Sequence, residues 1–291
     1  MWYGRLSLVI WVGLLVGTSA LASTALIVKK VGKVKILRSV DSKNANPDID
    51  KKVMVEGKIY FDLKAQVGME LEYGDQVQTS ANGRVRLVYN NGDQFSVGTS
   101  TSFQVAKKGE GLSLSILFGK IRALVSPKGE RANLEVRTST MVMGVRGTDF
   151  HILSNGLSGS SELTVLGGAV EAAHRSDPSV KTIVKTGQSL KFKQLAMNSK
   201  PQIDLRKVSA KDLLYIQGSS IFPPSKTIMA LTGSKKDTKV VEAEREAVRI
   251  FLEEHRETHP NFYKANIKKA NDLDLDQIQR VYMEYLLRHL D

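Results

Sequence analysis

The chain has 291 residues, 42% of them hydrophobic, and a formal net charge of +12, a composition that supports a packed globular core. It contains no cysteine, which excludes disulfides, thiolate nucleophiles, Cys-bound zinc and iron–sulfur clusters. The charge is uneven, because residues 241–291 hold eight Lys/Arg and eleven Asp/Glu, leaving that segment at −3 and the first 240 residues at +15.

At the start, Arg5 precedes an apolar run from Leu6 to Thr18, and Ala20-Leu21-Ala22 forms an A-x-A cleavage signal. This is the layout of a secretory signal peptide over residues 1–22, with Ser23 the first mature residue. The run is shorter than the ~20 residues of a membrane span, so no stable span is expected after cleavage. The alternative is an inner-membrane anchor through residues 6–20. Export to the periplasm makes nucleic acid an unexpected partner of the basic region and leaves anionic envelope polymer, lipid headgroups or an acidic protein.

Residues 23–195 read as one β-domain. Val31-Gly32-Lys33-Val34-Lys35-Ile36-Leu37 opens it, and a polar stretch from Asp41 to Lys52 reads as a surface loop. Arg84–Tyr89 and Gln94–Val97 flank Asn91-Gly92, a strong hairpin signal. Leu112, Leu114, Ile116 and Phe118 fall on one face of a strand by their period of two. A Gly-x-β-branched start recurs at Gly32, Gly57, Gly119 and Gly168 without a fixed period. It reads as one corner used repeatedly, where glycine lets a strand pass between layers. The expected fold is mainly β, a two-layer β-roll or sandwich of short strands. Residues 196–237 read as a linker with a brief helix near 209–216. Helices over about 238–257 and 274–290 then form a C-terminal hairpin, the second with Asp274 as N-cap. The apolar stripe of Ile278, Tyr282, Tyr285 and Leu286 needs a surface to bury it.

Thr140-Met141-Val142-Met143-Gly144-Val145-Arg146-Gly147-Thr148-Asp149-Phe150 holds two short apolar runs broken by a glycine pair, and reads as a sharp reversal between Thr140–Val145 and Thr148–Leu153. It closely resembles the GVRGT-F signature of the FecR domain. The order of the flanking elements supports the resemblance: Gly74-Asp75, Asn91-Gly92-Asp93, a Leu-rich strand ending at Gly119, Leu166-Gly167-Gly168 and Gly187-Gln188. It spans roughly residues 67–193. The family consists of bacterial envelope regulators that relay receptor occupancy. The resemblance therefore implies a sensor or docking module, with Gly144, Val145, Arg146, Gly147, Thr148 and Phe150 as structural or partner-contact residues. Only four residues precede Arg5, too few for the family's cytoplasmic sigma-factor-binding region. Arg146 either binds carbonyls freed by the turn, the favoured reading, or meets an acidic partner through its planar fork.

No constellation of residues points to catalysis, cofactor or metal. His255 and His259 lie four apart on a helix but lack the glutamate placement of a zinc-protease motif, and read as surface residues. His151 stands without a legible Ser or Asp relay. Asp75, Asp93 and Asp149 flank turns, where they are expected to bind local backbone N–H groups. The expected function is a non-enzymatic envelope sensor or protein-docking module, its partner another envelope protein. The alternative is a structural protein held to anionic cell-wall or outer-membrane polymer by its basic domain.

Overall fold

The computed structural model describes residues 25–40, 51–89, 91–108, 111–126, 134–156, 158–193, 201, 203–222 and 238–289. The signal peptide expected at residues 1–22 lies outside the described residues, as does most of the loop expected between Asp41 and Lys52. The chain opens with β1 (Ala25–Val31), β2 (Val34–Ser39), β3 (Lys51–Val55), β4 (Lys58–Lys64), β5 (Glu70–Leu71) and β6 (Gln76–Thr79). It continues through β7 (Arg84–Tyr89), β8 (Gln94–Val97), β9 (Thr101–Lys108) and the long β10 (Gly111–Val125). Next come β11 (Leu134–Arg137), β12 (Met141–Val145), β13 (Thr148–Asn155), β14 (Ser160–Gly167), β15 (Ala169–His174), β16 (Lys181–Lys185), β17 (Gln188–Lys193) and β18 (Asp204–Lys207).

Hydrogen bonding sorts these strands into two sheets. The first runs β5-β1-β7-β8-β10-β13-β14-β17-β18. The second runs β3-β4-β2-β6-β9-β10-β11-β12-β15-β16. β10 belongs to both: its first half pairs with β9 and β11, and Gly119 onward with β8 and β13. Apolar residues at period two on both inner faces meet between the sheets, among them Ile36, Val77, Phe95, Phe103, Leu114, Met143, Phe150 and Phe192. The architecture is the expected two-layer β arrangement.

Three of the four repeated glycines sit where the chain changes sheet: Gly32 between β1 and β2, Gly119 inside β10, and Gly168 between β14 and β15. The fourth differs. Glu56 and Gly57, both at positive φ, close the β3–β4 hairpin within one sheet. Phe118 also departs from the alternation, being 46% exposed. A register shift between Ile116 and Phe118 at the crossing takes it off the face shared by Leu112, Leu114 and Ile116.

The stretch read as linker contributes to the fold. β18 extends the first sheet, and α1 (Ala210–Ser220) follows, started by a Ser209–Asp212 capping box. Among the described residues three α-helices come after it, where a pair was expected: α2 (Thr238–Glu254), α3 (Pro260–Asn266) and α4 (Leu275–Arg288), the last capped by Asp274. Pro260 ends the run from α2 and opens α3, where its missing N–H costs nothing. Val248, Phe251, Leu252, Ile278, Tyr282 and Met283 form a second core with Leu124 and Leu166 of the first sheet. The helices therefore cover that sheet's outer face.

Candidate functional site

The signature corner follows from two pairing partners. β12 pairs with β11 and β15 in the second sheet, while β13 pairs with β10 and β14 in the first. The expected reversal is thus a passage between layers. Gly147 makes it at φ 58°, a conformation that a β-branched residue resists. Gly168 makes the return passage beside it. A Cβ there would stand 2.6 Å from the Gly147 carbonyl oxygen, so the two corners pack backbone to backbone.

The signature residues separate by burial. Val145, Thr148 and Phe150 are buried, Phe150 in the core between the sheets. Gly147 is half-buried, and Gly144 and Arg146 are exposed. The carbonyl-binding reading of Arg146 does not hold: its side chain has no hydrogen-bond partner among the described residues.

Asp149 points the other way from Phe150, under the helices. It is fully buried and takes a two-pronged contact from Arg122, Nε at 2.9 Å and Nη2 at 2.5 Å. His255 of α2 brings Nε2 to 3.4 Å from the same carboxylate, while its Nδ1 donates to the Phe251 carbonyl at 2.7 Å. Burial alone would raise the Asp149 pKa, but the charges and hydrogen bonds of Arg122 and then His255 hold it well below the carboxylate range. Expectation fails twice here. Asp149 binds side chains from distant elements, not local N–H groups, and His255 is buried, not on the surface. His255 thus sits between the Phe251 carbonyl and the Asp149 carboxylate.

The strand pairing next to Asp149 contains a bulge. Asp149 faces Gly167 and Phe150 faces Val165, so Leu166 has no partner on β13. The Tyr282 hydroxyl of α4 donates to the Leu166 carbonyl at 2.8 Å, satisfying the acceptor that the bulge frees. Gly167 makes room for the helix, since a Cβ there would lie 3.1 Å from His255 Nε2. Glu254 is close by. Burial first, then the nearby Asp149 and Glu257 charges, push its carboxyl up to about 8.

A second ionic contact holds α4. Asp276 receives Arg86 Nη2 at 2.6 Å, Lys29 Nζ at 2.5 Å and the Phe222 N–H at 3.0 Å. Burial opposes its charge, but Arg86 and then Lys29 lower its pKa to about 2. The acidic tail and the basic β-domain thus meet through specific side chains. Elsewhere, Asp75 does bind a local N–H, that of Glu72, together with Arg38, whereas Asp93 reaches the distant Ser126 N–H.

His151 lies directly across from Arg122 in the register, with Nε2 3.2 Å from Ser219 Oγ of α1. Sequence reading missed this serine, because 68 residues separate the pair. Burial, then the Arg122 and Lys120 charges, lower the His151 pKa to about 3. The imidazole is therefore neutral in the folded protein, and α1 covers it.

The family model described as FecR protein matches residues 75–171, about a third of the chain, from Asp75 through the signature into β15. The chain carries a FecR domain. Within that domain lie Arg86, Arg122 and Asp149, three of the residues that hold the helices. No curated protein matches the chain. Among solved structures, two crystal structures of a "putative anti-sigma factor" from Parabacteroides distasonis ATCC 8503 share 14% identity and a TM-score of 0.41 with it. They cover 49% and 54% of this chain, which in turn covers 65% and 70% of theirs. The first is thus matched over less than two thirds of its length. A likeness this distant carries no inference about activity.

Proposed function

We propose that this protein is a non-enzymatic, exported FecR-domain module that acts in envelope signalling as a sensor or protein-docking domain. The FecR domain over residues 75–171 carries this reading. Its signature buries Val145, Thr148 and Phe150 but leaves Arg146 at the surface. Three of those four residues are spent on the corner, and the guanidinium that the corner displays suits a carboxylate on a partner protein. The buried histidines support a binding role over a catalytic one, since His151 and His255 are closed off by packed helices. The address rests on the sequence of residues 1–22, and among the described residues no helix is long and apolar enough to cross a membrane.

The test is cross-linked capture from envelope preparations, comparing wild type with Arg146→Glu. A stoichiometric protein partner that is lost on charge reversal is the expected result. Equal capture by both forms would remove Arg146 from the interface, and no stoichiometric partner would remove the docking role. Attachment to anionic envelope polymer is the second reading, favoured by exposed lysines on β2, β3 and β4.

A further inference from the structure

The β3–β4 hairpin projects two apolar side chains into solvent. Met54 is 72% exposed and Ile59 49%, and they are direct cross-strand partners, so they form one patch. Topology explains their exposure. β4 pairs with β2 only over Tyr60–Lys64, and Lys58 and Ile59 run past the end of that neighbour. Leu63 packs on the core between the sheets, Phe61 two residues earlier is still buried, and Ile59 continues the same face beyond both.

Lysines flank this hairpin: Lys52 shares the face of Met54 and Ile59, Lys51 and Lys58 lie on the other face, and the exposed Glu56 occupies the turn. Lys35, Lys51, Lys52, Lys58 and Lys64 are all exposed on the three strands. Lys35 lies directly opposite Lys64, a like-charge pairing that costs stability, and Asp62 contacts Lys35 at 2.6 Å. Lys52 holds its ammonium 5.9 Å from the Phe61 ring. From Lys33 to Lys64 the sequence has eight basic and five acidic residues, a net +3. Positive charge beside an exposed apolar pair is the chemistry of a surface that combines phosphate with hydrocarbon.

We infer that this hairpin is a peripheral membrane-binding element that lays Met54 and Ile59 into the headgroup boundary of an anionic lipid leaflet, with the lysines on its phosphates. A purely anionic polymer would need the lysines alone. The apolar pair separates the two occupants. The inference does not depend on docking through Arg146, which lies on another part of the fold.

Co-sedimentation with lipid vesicles tests it, using the chain from Ser23 onward, which contains every described residue. Binding to phosphatidylglycerol vesicles, absent with pure phosphatidylcholine and weakened by salt, is expected. Met54→Gln with Ile59→Thr should lower partitioning roughly tenfold without changing the melting temperature. Lys52→Gln with Lys58→Gln should lower it by a similar factor. Absence of binding to phosphatidylglycerol, or equal binding to both lipids, overturns the inference. Undiminished binding by the Met54/Ile59 variant also overturns it and assigns the lysines to a charge-only polymer contact.

Discussion

The outer faces of the two sheets have the same pleat and opposite fates. On the first sheet, Arg86, Ser96, Arg122, His151, Thr164 and Ser189 form one continuous row across neighbouring strands. All six are buried. On the second sheet, Glu135, Gly144, Glu171 and Ile183 form an equivalent row, of which the last three are exposed. The open row's charges, Glu135 and Glu171, keep contact with water, whereas Arg86 and Arg122 of the covered row have lost theirs. These cations are tolerable under the helices only because Asp149 and Asp276 neutralise them there. Removing one partner of such a buried pair costs about 3–5 kcal/mol, although the intact pair contributes little net stability. Ionic contacts at this interface therefore specify how the helices sit, while Phe251, Leu252, Ile278 and Tyr282 supply the driving force at about 1.5–3 kcal/mol per side chain.

This contrast breaks most visibly if the cover is removed. Truncation at Gly233, which deletes α2 to α4, should expose the second core, leave Arg86 without Asp276 and open the Arg122–Asp149 pair to water. We expect loss of soluble folded protein or a destabilisation on the order of 5 kcal/mol or more, read by thermal denaturation. An unchanged melting temperature would mean that the β-domain does not need its helices.

Single residues should show the same asymmetry. Arg122→Met leaves Asp149 buried beside His255 alone and should cost about 3–5 kcal/mol in urea unfolding. Gly168→Val should be comparably damaging, because φ is 77° and the neighbouring backbone fills the space. Gly147→Val is expected to cost about 1–3 kcal/mol of backbone strain. On the open face, nothing lies within 4 Å of a Cβ at Gly144. Gly144→Ala and Arg146→Ala should both stay within about 0.5 kcal/mol of wild type. A large loss at Gly144 would show that something covers the second face after all.

Proton linkage should also follow the covered face, with two opposing contributions. His151 and His259, lowered mainly by burial to about 3 and about 4, are neutral when folded. Stability they contribute is present above pH 6.5 and falls as pH drops from 6.5 towards those values. Asp149 and Asp276, both lowered, add a further loss below 3.8. Glu254, raised to about 8, works in reverse and costs stability as pH rises from 4.5 to 8. Glu254→Gln should therefore stabilise the protein at pH 8 and have little effect near pH 4. An equal effect at both values would place that carboxyl in water. Among the single changes, Tyr282→Phe is expected to be mild, about 1–3 kcal/mol for the Leu166 carbonyl left without its donor.

Much of this fold is written locally. Period-two apolar residues, the Asn91-Gly92 turn, the Asp274 cap and the glycine corners each depend on neighbours a few residues apart, so the β-domain, its FecR signature and the existence of C-terminal helices are legible from the sequence alone. What the sequence does not contain is the partner of each polar side chain. Asp149 looked like a turn residue because its turn is local, yet Arg122 and His255 reach it from other elements. His255 looked solvated because a lone histidine on a charged helix usually is, and only the bulge at Leu166 and the small Gly167 show where it packs. Sequence also left open whether the apolar stripe of α4 would meet its own chain. It does, and how α4 sits is fixed by Asp276 finding Arg86 and Lys29, residues 190 and 247 positions away. Contacts at that separation form only after the strands have placed those cations side by side, and for that reason they belong to the tertiary structure.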